Sequence, residues 1–208
     1  MSAVTIVHSS VANIGSVAAA FERAGAAVTI SRDWEEIRRA PRVVLPGVGA
    51  ARPAMQELER LGLRERLPTL TQPVLGVCLG MQLMFRHSAE GEVDCLSIFD
   101  SDIAKLPAQP GLRLPHMGWN RLKPLRQHPL IEGLGASDFA YFVHGYAAPV
   151  DAHTLMACTH GQRFAAIVAR GNFMGAQFHP ERSAQVGARL LANFLRLDAD
   201  LLSQGATS

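Results

Sequence analysis

Apolar positions along this chain follow two patterns. In the first half, short apolar runs alternate with segments whose apolar residues recur at helical spacing. Ala3–Val7 is a run of the first kind and ends at polar residues. Gly15–Ala24 has helical spacing and is closed by Gly25. Ala27–Ser31 reads as a second strand. Asp33, with Glu36 in its capping-box position, starts a short helix that must end before Pro41. Val43–Leu45 is a strand stopped by Pro46-Gly47, and a helix follows around Ala54–Leu61. Val74–Val77 is another buried strand and Leu79–His87 another helix. This alternation predicts an α/β fold, a doubly wound, mostly parallel sheet with helices on both faces.

The second half changes character. Gly118–Leu122, Ala140–Val143, Leu155–Cys158, Phe164–Ala169 and Asn172–Phe178 are closely spaced strands, several of them expected to be antiparallel. Ser183–Leu197 is amphipathic, with Val186, Leu190, Leu191, Phe194 and Leu195 on one side and Ser183 as its expected cap. No repeat or linker divides the chain, so residues 1–208 are expected to form one domain, frayed from about Asp198.

Composition narrows the function classes. With 208 residues, 48% hydrophobic and 18% charged, the chain is long and apolar enough to bury a core. A net charge of +2 and the absence of any Lys/Arg tract give no electrostatic footprint for nucleic acid. No apolar stretch approaches the roughly 18 residues that span a bilayer, and no secretory signal is expected. Cys78, Cys95 and Cys158 form no CxxC pair, which fits a reducing, cytoplasmic setting.

The chemistry concentrates at Gly76-Val77-Cys78-Leu79-Gly80, which has the form of a nucleophile elbow with cysteine as nucleophile. Such a turn exposes the side chain, and the helix N-terminus behind it favours thiolate and can hold an oxyanion. Cys95 and Cys158 lack this context and read as small buried hydrophobes. A thiol nucleophile needs a base. His179-Pro180-Glu181 follows a strand that would deliver it to the carboxyl edge of the sheet. Extended chain at Pro180 would let Glu181 accept a hydrogen bond from His179 and fix its tautomer. Pro46-Gly47-Val48-Gly49 alone is a tight turn. Beside the elbow it offers a second oxyanion donor.

Together these pieces resemble the class I, or triad, glutamine amidotransferases. Leu114-Pro115-His116-Met117-Gly118-Trp119-Asn120, Tyr141-Phe142-Val143-His144 and Gln177-Phe178-His179-Pro180-Glu181-Arg182-Ser183 are similar to the amidotransferase subunits of imidazole glycerol phosphate synthase. The resemblance runs from Val4 to about Leu197. It implies a glutaminase triad of Cys78, His179 and Glu181, with Gly49 and Leu79 as oxyanion donors. It implies glutamine contacts from Gly47, Gln82, Glu90, Gly145 and Tyr146. It also implies a heterodimer with a (β/α)8-barrel cyclase, which would face Asn13, Trp119, Asn120, Tyr141 and Arg182 and receive the ammonia. Ordinary packing is the competing reading for Trp119 and Tyr141. No cofactor or metal is called for.

Two departures from the family pattern, His8-Ser9-Ser10-Val11 and Gly145, fall near the partner face and the glutamine pocket. Three other readings share the same residues: a paralogous amidotransferase feeding another synthase, an inactive binding subunit, and a cysteine hydrolase with a different substrate. The P-H-M-G-W-N segment argues against the first and the intact triad against the second.

Overall fold

A computed structural model describes residues 2–8 and 14–198. The expected partner contact of Asn13 and the expected frayed tail beyond Asp198 therefore lie outside the described residues.

In chain order the elements are β1 (Ala3–Val7), α1 (Ile14–Arg23), β2 (Ala27–Ser31), α2 (Trp34–Arg39), β3 (Val43–Leu45), α3 (Ala51–Arg60), β4 (Val74–Val77) and α4 (Leu79–Gln82). There follow β5 (His87–Ser88), β6 (Val93–Asp94), β7 (Asp102–Lys105), β8 (His116–Arg121), β9 (Lys123–Pro124), β10 (Phe139–His144) and β11 (Tyr146–Ala147). The chain then forms β12 (Thr154–His160), β13 (Gln162–Arg170), β14 (Phe173–Ala176) and α5 (Ala184–Arg196). An eight-stranded sheet has the order β2-β1-β3-β4-β14-β13-β12-β9. Its first five strands run parallel, and β13, β12 and β9 continue it antiparallel. The predicted class is therefore the observed one, a doubly wound and mostly parallel sheet.

Alternation along the strands builds the two faces. Val4 and Ile6 of β1, and Leu75 and Val77 of β4, pack with Val17 and Phe21 of α1 and Leu190 and Phe194 of α5. Val7 and Val74 point the other way, onto Ile37 of α2 and Met55 and Leu58 of α3. Each such side chain contributes roughly 1.5–3 kcal/mol on burial, so the sheet sits between two substantial cores. Phe21 and Phe194, at 6.1 Å in an edge-to-face pair, tie α1 to α5.

Two expectations are corrected. The helix expected over Leu79–His87 stops at Gln82. The carbonyls of Leu83, Met84 and Phe85, which would continue it, instead accept from the N–H groups of Leu96, Ile98, Phe99 and Ser97. The chain then turns into the four-stranded sheet β11-β7-β5-β6, which the apolar pattern does not predict. Its two-residue strands are too short for an alternating pattern to show. Ser183 precedes α5 without capping it through its side chain. Its Oγ donates to the His179 carbonyl at 2.7 Å and accepts from the Tyr141 N–H at 2.9 Å. Asp33 does cap α2, accepting from the Glu36 N–H at 3.1 Å.

Candidate active site

Three neighbouring parallel strands, β3, β4 and β14, end side by side and carry the candidate segments. β4 ends at Val77, and the next residue, Cys78, has φ 52° and ψ −111°. This is a left-handed conformation that a side-chain-bearing residue adopts only under strain, as the elbow requires. Crowding explains the elbow's glycines. A Cβ on Gly80 would come within 1.8 Å of the Leu45 carbonyl oxygen, and one on Gly76 within 2.7 Å of Met81. Gly47 packs under the same turn, where a Cβ would meet Leu79 and the Gly80 nitrogen at 2.9 Å.

His179 follows the end of β14, extended at φ −96° and ψ 100°. Pro180–Arg182 then form one 3-10 turn, not the extended chain expected, and this turn brings Glu181 round. His179 Nδ1 donates to Glu181 Oε1 at 2.9 Å, with both side chains buried. The other edge of the ring hydrogen-bonds Cys78. Burial opposes charge on His179, but its hydrogen bonds to Cys78 and Glu181 outweigh burial and push its pKa up to about 10. The HPE segment is held from behind by α5. There a Cβ on Gly187 would lie 1.8 Å from the Pro180 carbonyl oxygen, so only glycine lets the helix seat. Sequence reasoning missed Gly187, which looks like an ordinary helical glycine.

These groups border a cavity of about 240 Å³ lined by Val48, Gly49, Cys78, Leu79, Gln82, Glu90, Val143, His144, Gly145, Tyr146 and His179. The expected residues Gly49, Leu79, Gln82, Glu90, Gly145 and Tyr146 thus meet there, whereas Gly47 does not line it. Gly49 has φ 92° and open space around its Cβ position, so backbone conformation, not crowding, requires glycine there. Gln82 Nε2 donates to the Tyr146 carbonyl at 2.9 Å and to Gln177 Oε1 at 3.0 Å. Burial raises the pKa of the Glu90 carboxyl against the lowering effect of a hydrogen bond from the Ala51 backbone. Arg52 holds the neighbouring loop through the carbonyls of Gly91 and Glu92, at 2.6 and 3.0 Å. Sequence reasoning missed Val143 and His144 as lining residues, because β10 reaches the site from another part of the chain. Among the described residues no cluster of three or more His, Cys, Asp or Glu side chains is arranged to hold a metal ion.

The β8–β10 ribbon flanks the cavity. Met117, Trp119 and Phe139 are exposed to 65, 53 and 42%, respectively. Trp119 pairs across the ribbon with Tyr141, their rings 5.9 Å apart, and Arg182 stands 5.4 Å over the Tyr141 ring. Asn120, also expected at the partner face, is half-buried beside Trp119. Adjacent strand residues point to opposite faces, so Asn120 turns inward where Trp119 turns out. Its amide donates to His116 Nε2 at 3.1 Å and to the Thr159 carbonyl at 2.9 Å. His87 gains Asp94 as a partner at 2.8 Å, which its surroundings in sequence did not suggest, but it lies away from the cavity lining.

A thiol in a strained elbow and a carboxylate-bound imidazole beside one small cavity are the parts that acyl transfer from an amide would use. The family model "Glutamine amidotransferase class-I" matches residues 6–197, and the chain belongs to that class. Solved structures show the same fold. A putative GMP synthase protein from Thermoplasma acidophilum superposes with a TM-score of 0.72 at 16% identity, covering 99% of this chain and 96% of its own. PurLQS from Thermotoga maritima gives 0.70 at 15%, covering 94% of this chain and 98% of its own. Within the class, the family is that of imidazole glycerol phosphate synthase subunit HisH. The protein so named from Xanthomonas campestris pv. campestris is 50% identical over 197 residues, 95% of this chain and 98% of its own. The one from Xylella fastidiosa is 48% identical over 199 residues, 96% of this chain and 100% of its own.

Proposed function

We propose that the chain is the glutaminase subunit of an imidazole glycerol phosphate synthase. It hydrolyses L-glutamine to glutamate and ammonia. A (β/α)8-barrel cyclase takes the ammonia to make imidazole glycerol phosphate and aminoimidazole carboxamide ribonucleotide in histidine biosynthesis. The setting is the cytoplasm, where the free cysteines stay reduced. Among the described residues no helix is long and apolar enough to cross a membrane.

The observation that carries the reading is the meeting of Cys78, His179 and Glu181 at the edge of a small cavity. Its volume lies below the roughly 300–1,000 Å³ usual for drug-sized ligands and suits a single amino acid. In the reaction, Cys78 thiolate attacks the side-chain amide carbon of glutamine. The resulting oxyanion accepts from the N–H groups of Leu79 and Gly49. His179, charged and oriented by Glu181, gives its proton to the departing nitrogen, and ammonia leaves. His179 then takes a proton from water, which attacks the thioester and releases glutamate. Glu90, whose burial disfavours its charge, gains a partner when the substrate's α-ammonium sits beside it. Gln82, Gly145 and Tyr146 complete the pocket.

The exposed Met117–Trp119–Phe139 strip supports the partner reading. It is apolar, it is flanked by Arg121 and Arg182, and its face continues through Tyr141 to Val143 at the cavity. A partner seated there would lie beside the point where ammonia is released. Free ammonia is mostly protonated at neutral pH and then not nucleophilic, so a sealed path is chemically useful. The test is glutamate release by the purified chain alone, with its cyclase, and with cyclase plus the ribonucleotide. The expected order is low, modest, high. Full turnover by the isolated chain, unchanged by cyclase or ribonucleotide, overturns the partner assignment.

A further inference from the structure

Behind the cavity, three side chains form a hydrogen-bonded line whose direction is fixed at both ends. At one end His144, which lines the cavity, places Nδ1 2.8 Å from the Tyr146 carbonyl. A carbonyl only accepts, so Nδ1 carries the proton. In neutral His144, Nε2 is then an acceptor, and it lies 3.0 Å from His116 Nδ1, which must donate. That leaves His116 Nε2 to accept, and the group 3.1 Å from it is Asn120 Nδ2, which only donates. The second Asn120 proton goes to the Thr159 carbonyl, and Asn120 Oδ1 accepts from the Arg121 N–H at 2.8 Å. That interlock orients the amide. Protonating either ring would set two donors face to face.

Packing fixes the rings as the hydrogen bonds fix their edges. His116 is stacked between Phe142 and His160, with centroids 4.9 and 4.0 Å away. His144 meets Phe164 edge-to-face at 4.9 Å. Burial pushes the pKa of His116 down to about 3 and that of His144 to about 4. The titratable groups acting on His116 are His144 and His160, and those acting on His144 are His160 and His179; all disfavour charge, and only the hydrogen bond to the Tyr146 carbonyl favours it on His144. The line ends at a junction. The Tyr146 carbonyl also accepts from Gln82 Nε2, and Val143, just before His144, places its carbonyl 3.8 Å from Cys78 Sγ. The hydrogen bonds therefore hold the whole Val143–Tyr146 segment that borders the cavity.

We propose that His116 and His144 are positioning residues for the substrate pocket: the Asn120–His116–His144 line fixes the Tyr146 carbonyl and with it the segment that contacts glutamine. Asn120 sits beside Trp119 on the exposed ribbon, so the same line ties the geometry of that strand to glutamine affinity. The inference rests on the glutaminase reading for the identity of the ligand.

Two measurements test it on the full chain. In long-range ¹H–¹⁵N spectra, both histidines should be neutral with the proton on Nδ1 from about pH 5 to 8, where an ordinary histidine titrates. A proton on Nε2 of either ring, or charge on either near neutrality, overturns the proposal without any variant. The second measurement is inactivation by the glutamine analogue 6-diazo-5-oxo-norleucine of wild type and Asn120→Asp, whose carboxylate cannot donate to His116. Loss of one such bond is expected to raise the inhibition constant up to about tenfold, with the limiting inactivation rate changed less than about twofold. Alkylation of Cys78 by iodoacetamide, which does not use the glutamine segment, should keep its wild-type rate. An unchanged inhibition constant overturns the proposal. If the wild-type chain reacts with iodoacetamide but not with the diazoketone, the glutaminase reading fails instead, and the spectra still decide the line.

Discussion

The carboxyl edge of β3, β4 and β14 and the β8–β10 ribbon border the same cavity but are built by different means. At the edge, backbone clearance decides position. Leu45, Gly80, Pro180 and Gly187 approach so closely that a single methyl group would collide with a carbonyl oxygen. In the ribbon, side chains decide. Alternation sends Trp119 and Tyr141 outward, and His116, Asn120, Phe142 and His144 inward, where hydrogen bonds and ring stacking hold them. The difference separates two tasks. A rigid edge suits chemistry that needs atoms fixed to within a fraction of an ångström. A ribbon with an exposed apolar outer face and a hydrogen-bonded inner face suits docking and adjustment.

If this division holds, damage at the edge should remove chemistry or the fold, and damage on the outer ribbon should spare both. The largest effect is expected from His179→Ala, which should lower the glutamine hydrolysis rate by about 10⁴-fold. Glu181→Gln should cost less, because it orients the imidazole and does not transfer the proton itself. Turnover within tenfold of wild type for His179→Ala, measured with cyclase present, would rule out the triad.

Next in size is Gly80→Ala. Its Cβ has nowhere to go, so the loss of stability in urea denaturation should be at least about 3 kcal/mol, at the upper end of overpacking effects. A midpoint near wild type would show that the elbow can open, and clearance would no longer explain the glycine.

Trp119→Ala should leave the urea midpoint within about 0.5 kcal/mol. It should weaken cyclase binding by about 30-fold, the size of an interface hot spot. Titration calorimetry reads this directly, and equal affinity would move the docking face elsewhere. The smallest effect is expected at Gly145, where a new Cβ meets nothing within 4 Å. Gly145→Ser, which adds a hydroxyl beside the cavity, should not destabilise the chain and should change the KM for glutamine by no more than about tenfold. Measurable destabilisation would contradict the open space.

The same division explains how much was legible from the amino-acid order. Edge features are written in contiguous residues. Gly76 to Gly80, Pro46 to Gly49 and His179 to Glu181 each carry their chemistry locally, and β1 to β4 show their apolar runs. What lay between distant segments was not legible. The His116–His144 contact spans 28 positions, and β10's approach to Cys78 spans 65. Gly187 resembles any helical glycine until Pro180 is seen against it. Leu79–His87 has helical spacing, but backbone hydrogen bonds from 96–99 end that helix early.

We propose that Cys78, alone among the three free cysteines, is the nucleophile that takes glutamine. Cys95 and Cys158 are buried, and burial pushes both thiols up to about 12, whereas Cys78 lines the cavity against a charged imidazole. The most direct test is to react the chain with 6-diazo-5-oxo-norleucine and locate the adduct by peptide mass spectrometry. One adduct per chain is predicted, on Cys78, with excess glutamine protecting it. Modification of Cys95 or Cys158 with Cys78 untouched, or no protection by glutamine, would contradict the claim.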